Sequence, residues 1–101
     1  MIVLAGTFRI LEVQKRAGIL QTLRTLQNKT WADDPGVVTY HFSLDLVDEN
    51  LFHVYEEWDG TENLKAHGQK DHMNPFRALR NDKLVEVVRF GRWRAEELGQ
   101  F

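Results

Sequence analysis

A chain of 101 residues and 11.8 kDa is one domain with a single modest core. Its 43% apolar and 28% charged residues exclude a disordered or collagen-like chain, and a net charge of −2 excludes the electrostatic footprint of a nucleic-acid or anionic-membrane binder. The absence of cysteine excludes a disulfide, a thiolate nucleophile and a zinc ribbon.

The opening MIVLAGTFRI has no basic leader and turns polar too soon for a signal peptide or membrane span, so a soluble, cytoplasmic protein is expected. Alternation over residues 2–10 predicts a strand, with Ile2, Leu4, Phe8 and Ile10 on one face and Thr7 and Arg9 on the other. From residue 14 to about residue 31 the period lengthens, and Ala17, Leu20, Leu23 and Leu26 or Gln27 form the stripe of an amphipathic helix. Gly18 weakens that helix by about 1 kcal/mol relative to Ala.

Asp33, Asp34, Pro35 and Gly36 stack turn formers, and the helix should end before the proline. A second strand is expected over residues 37–46, with Val38, Tyr40, Phe42 and Leu44 facing one way and Thr39, His41 and Ser43 the other. After a polar hairpin loop at Asp48, Glu49 and Asn50, a third strand runs over residues 51–58; Phe52, Val54, Glu56 and Trp58 alternate there with Leu51, His53, Tyr55 and Glu57.

Asp59 and Glu62 have the spacing of a capping box for a helix carrying Leu64 and His67. Asn74 and Pro75 restart the chain as a cap and first helical residue, and Phe76 and Leu79 supply the next apolar stripe. Asn81 and Asp82 turn it into a fourth strand from residue 84 to about residue 90. The whole of 1–101 reads as one domain, with a core over 1–91 and a polar tail or helical arm over 92–101.

Strand, helix, strand, strand, helix, strand is the order of the α+β, ferredoxin-like βαββαβ plait, an antiparallel four-stranded sheet with its helices on one face. The uncovered face carries Thr7, Arg9, Thr39, His41, His53, Tyr55 and Glu57, together with Val3, Ala5, Val37 and Leu51. That is too apolar for solvent, and a homodimer packed sheet to sheet is expected.

Chemistry concentrates between Tyr55 and Met73. Trp58 ends its strand on the helix-covered face, where its ring can floor a cavity and its N–H can donate. Glu56 shares that face, where its carboxylate is either desolvated, with the raised pKa a general base needs, or swung to solvent at the sheet edge. His67 and His72 follow on the covering segment as further proton carriers, whereas His41 and His53 fall on the other face as polar interface contacts. Phe8, Tyr40, Phe42 and Phe76 are the candidate walls.

A metal is not expected, because His67 and His72 are five apart, about 140° around an ideal helix rather than the i, i+4 pair of a zinc helix. No phosphate loop, nucleophile elbow or dinucleotide fingerprint is present either, so no flavin or nicotinamide cofactor is expected. The residues alone leave open a module that binds a metabolite without turning it over and an isomerase or lyase moving a proton on a small carbonyl compound.

The segment EEWDGTENLKAHGQKDHM resembles the signature of the antibiotic biosynthesis monooxygenase-like family, including its quinol monooxygenase members: Glu-x-Trp at a strand end, then Leu-x-Ala-His, then His-Met. DDPGVVTYHF stands where that family has an acidic-Pro-Gly-Cys turn into its second strand. The resemblance implies a dimeric α+β barrel with a cavity between sheet and helices in each protomer. It further implies oxidation of a small phenolic or quinol-type aromatic by O2 with neither metal nor flavin. Trp58, His67 and His72 match family positions. Val54 and Leu64 replace the asparagine and tyrosine of the anthrone-oxidising members, and Thr7, His67 and Arg77 stand where the haem-degrading branch has its asparagine, tryptophan and haem ligand.

Overall fold

A computed structural model of the chain describes residues 1–100. Four strands, β1 (Ile2–Ile10), β2 (Val37–Leu44), β3 (Leu51–Trp58) and β4 (Val85–Arg94), alternate with α1 (Arg16–Asp33), α2 (Thr61–Gly68) and α3 (Asn74–Asn81). Short 3-10 turns at Val13–Lys15 and Asp71–Met73 lead into α1 and α3. The sheet has the order β2-β3-β1-β4 with every neighbouring pair antiparallel, which is the expected ferredoxin-like α+β plait.

One face of the sheet makes the core. Ile2, Leu4, Phe8 and Ile10 lie opposite Trp58, Glu56, Phe52 and the start of β4, and all are buried. Phe8 stacks on Phe52 at 5.2 Å and meets Phe76 of α3 edge-on at 5.5 Å, so the strand alternation and the helix stripe close on one aromatic centre. Trp58 and Phe52 are fully buried, each worth about 1.5–3 kcal/mol or more of desolvation.

Helix α1 buries Ile19, Leu23, Leu26 and Thr30, so its inward stripe includes Ile19 where Ala17 was expected, and Ala17 is exposed. The same helix protects the edge of the sheet. The Trp31 indole N–H donates to the Tyr40 carbonyl at 2.8 Å, and the Phe42 N–H donates to the Gln27 amide oxygen at 2.7 Å. Two side chains one helical turn apart thus occupy backbone groups that an edge strand otherwise offers to another chain.

Several boundaries differ from expectation. The register of β2 against β3 shifts between Val37 and Thr39, so Val37 packs on the core and Val38 is turned out, the reverse of simple alternation. Strand β2 ends at Leu44, half-exposed, because Asp45 accepts the N–H groups of Val47 and Asp48 and turns the chain; Leu46 and Val47 are bare to solvent. Asp59 does not cap α2: Gly60 stands at that position, and Asp59 accepts instead from the Asn63 amide. Asn74 is the first residue of α3 rather than its cap. Strand β4 continues through Arg92 to Arg94, paired with Leu4 and Ile2, so the start of the expected tail belongs to the sheet. Residues 95–100 have no regular structure, and Phe101 lies outside the described residues. Among the described residues no helix is long and apolar enough to cross a membrane.

Candidate active site

A cavity of about 590 Å³ opens between the sheet and helices α2 and α3. Its aromatic and aliphatic walls include Phe8, Tyr40, Phe42 and Phe76, the four residues expected there, together with Leu4, Val54, Leu64, Met73, Val87 and Phe90. Its polar groups are few: Glu56 of β3, His67 of α2, and Arg77 and Arg80 of α3. Few, placed polar groups in an apolar hollow are the mark of a small-molecule site. A larger open depression of about 1040 Å³ shares Leu4, Leu64 and Phe90 with it but is edged by exposed Lys65, Arg92 and Arg94, with no buried acid or base.

Glu56 is buried at the centre of β3, opposite Leu4 on one side and Tyr40 on the other. The Trp58 indole N–H donates to its Oε1 at 2.9 Å. Burial pushes the Glu56 carboxyl up to about 7, and the indole hydrogen bond only partly offsets this. Near neutral pH it therefore both holds and releases a proton. Burial likewise drives the Tyr40 hydroxyl far above its ordinary range, with the neighbouring Glu56 charge adding to it, so Tyr40 stays a neutral phenol.

His67 is buried under the same layer, its ring 4.7 Å from that of Trp58 and 5.3 Å from that of Tyr40. Its Nδ1–H donates to Oδ2 of Asp34, and His72 donates its Nε2–H to the same oxygen at 3.0 Å. With Nδ1 committed, Nε2 is the free base nitrogen of a ring that forms part of the cavity wall. Burial lowers the pKa of His67, while the Asp34 hydrogen bond and charge oppose the shift. Burial thus favours the neutral imidazole, the form in which it accepts a proton.

Asp34 was read in the sequence only as a turn former. It is buried, it orients both histidines, and its Oδ1 has no partner. The signal for it lay in the acidic-Pro-Gly turn itself, since an acid at the end of α1 faces the start of the segment carrying the histidines.

Two of the four candidate catalytic residues, Glu56 and His67, line the cavity; Trp58 and His72 do not. Trp58 sits behind them and holds Glu56, and His72 lies beyond His67, bonded to Asp34. The expected wide separation of His67 and His72 also does not hold, because α2 ends at Gly68 and the 3-10 turn Asp71–Met73 brings His72 back, with ring centres 6.0 Å apart. Asp34, His67 and His72 offer three ligand atoms all within 4.8 Å of one another, the donor set a divalent cation would use. Both histidine nitrogens already satisfy the single Asp34 oxygen by hydrogen bonds.

Residues 1–79 match the model of a family described as antibiotic biosynthesis monooxygenase. Among solved structures, the chain is similar to a proposed antibiotic biosynthesis monooxygenase from Deinococcus radiodurans, with 22% identity, TM-score 0.85, and coverage of 100% of this chain and 98% of that one. A second, from Caulobacter crescentus and of the same proposed kind, shares 19% identity at TM-score 0.78, over 95% of this chain and 91% of that one. A third, from Nitrosomonas europaea, shares 15% at TM-score 0.77, over 94% and 98%. No curated protein matches the chain.

Proposed function

Because the chain belongs to the antibiotic biosynthesis monooxygenase family, we propose that it is a cofactor-independent monooxygenase that oxidises a small phenolic or quinol-type aromatic with O2, working as a homodimer. The observation that carries this reading is the meeting, in one aromatic cavity, of a carboxyl that burial pushes up to about 7 and an imidazole fixed by a buried aspartate.

The chemistry follows from those two groups. The substrate hydroxyl loses its proton to His67 Nε2 or Glu56, and the resulting electron-rich anion transfers an electron to O2. The aromatic walls exclude water and keep the radical pair together until the carbon–oxygen bond forms. One oxygen atom enters the substrate and the other leaves as water. The substrate supplies every electron, as when a hydroquinone becomes a hydroxyquinone, so no external reductant is needed. His72 and Asp34 hold the geometry, and Trp58 holds Glu56.

Dissolved-oxygen measurements with a panel of hydroquinones and anthrones test the proposal. Oxygen and substrate should be consumed one to one, chelator treatment should leave the rate unchanged, and His67→Ala should lower turnover at least about tenfold without loss of folding. Product formation without oxygen uptake would move the site to proton-transfer chemistry, and chelator-sensitive turnover would give Asp34, His67 and His72 a metal to hold.

A further inference from the structure

We propose that Arg77 and Arg80 form a carboxylate subsite in the cavity wall, so that the aromatic substrate carries an acidic substituent. This names the substrate class of the cavity described above and rests on that reading for the word substrate; the binding it claims can be measured without turnover.

Arg77 and Arg80 lie three positions apart on α3 and therefore on one face of it, and both line the cavity. The Arg77 guanidinium is anchored, because its Nη2–H donates to the Gly68 carbonyl at the end of α2. Its Nη1 is buried and has no hydrogen-bond partner. A buried donor left unmade is costly, and more so on a charged group, so this N–H favours an acceptor.

Among the described residues nothing fills that role. Among the described residues no carboxylate reaches either Arg77 or Arg80; the ion pairs involve Arg9, His53, His67 and His72 instead. Among the described residues the only acid in the cavity wall is Glu56, which burial holds toward its neutral form and Trp58 already engages. The cavity wall thus presents two positive charges, one anchored at Arg77 and one on exposed Arg80, beside apolar rings. A carboxylate is the planar acceptor that a guanidinium fork matches with two hydrogen bonds.

The subsite also bears on the base. Burial is the main cause that lowers the His67 pKa, and the nearby Arg77 charge adds to it.

Calorimetric titration under nitrogen tests the subsite with two ligand pairs: gentisate and its methyl ester, and dihydroxynaphthoate and its methyl ester. Each acid should bind at least about tenfold more tightly than its ester. Arg77→Gln and Arg80→Gln should each erase most of that preference while leaving ester affinity within about twofold, and Arg77→Lys should retain part of it. Arg80 is exposed, so its variant folds even if loss of the Gly68 contact unfolds Arg77→Gln. Equal affinity for acid and ester, no binding of either acid, or a preference that survives Arg80→Gln and any folded Arg77 variant overturns the proposal. Oxygen uptake fails or succeeds separately: carboxylate preference without uptake keeps the subsite and removes the monooxygenase, and uptake without carboxylate preference does the reverse.

Discussion

Asp34 carries more of the site than any cavity-lining side chain, although it does not line the cavity. One oxygen accepts from two imidazoles and the other has no partner, so the carboxylate is held by its duties rather than by solvent. Asp34→Asn leaves the shape but supplies only one acceptor atom and introduces a donor. Turnover should fall at least about tenfold with KM within about twofold, and stability should fall by about 2 kcal/mol, read by oxygen uptake and urea unfolding. Glu56 gives a pH signature of its own. The fold raises its pKa from 4.5 to about 7, so the folded state binds more protons than the unfolded chain between those values. Stability from this group is complete below the lower value and is lost as pH rises through about 7. Glu56→Gln cannot ionise and should remove that loss; compared by urea melts, wild type should fall by roughly 3 kcal/mol more than the variant between about pH 5 and about pH 8.

Among the secondary-structure elements, the connection from α1 to β2 does the positioning. Asp34 closes α1 with its N–H on the Thr30 carbonyl, and Gly36 then turns the chain at φ +81°. The Gly36 carbonyl receives the Asp59 N–H at 2.9 Å, tying the start of β2 to the approach of α2. A Cβ at Gly36 would lie 2.4 Å from both Asn63 Nδ2 and Asp59 Oδ1. Gly36→Ala should therefore destabilise by about 2 kcal/mol, from the positive φ and the clash together, and should lower turnover by displacing α2 and His67 relative to Asp34. Unfolding in urea and oxygen uptake check the two parts. The bulge that follows acts in the same place: it restores Tyr40 to the inward face after Val38 is turned out, and Tyr40 is both core and cavity wall.

Taken as a whole, the molecule leaves the second face of its sheet uncovered, with Val3, Ala5, Tyr55 and Trp93 in adjoining register on β1, β3 and β4. Tyr55 is 41% and Trp93 47% exposed, large apolar surfaces for a solvated sheet. The proposed homodimer buries them. His53 is already fixed there, its Nε2–H on Asp45 and its Nδ1 accepting from the Thr7 hydroxyl, so it meets a partner with its polar atoms satisfied. Sedimentation equilibrium at micromolar concentration should give twice the chain mass, and Val3→Lys combined with Trp93→Asp should give the monomer with the far-UV spectrum unchanged. A monomeric wild type would remove the dimer from the proposal.

The plait was legible because its periods are local: Ile2, Leu4, Phe8 and Ile10, and then Phe52, Val54, Glu56 and Trp58, write their inward face at every second residue. Glu56 and His67 were legible for a similar reason, one as an acid on an apolar face and the other as an imidazole on the helix above it. The place of Val38, the reach of β4 to Arg94 and the joining of Asp34 to His67 and His72 were not, since each depends on a partner strand or helix far along the chain. Pattern along a chain reports which side of an element is apolar. It cannot report which atom thirty-three positions away completes a hydrogen bond, because that is settled only when packing removes water and every buried donor has to find its acceptor.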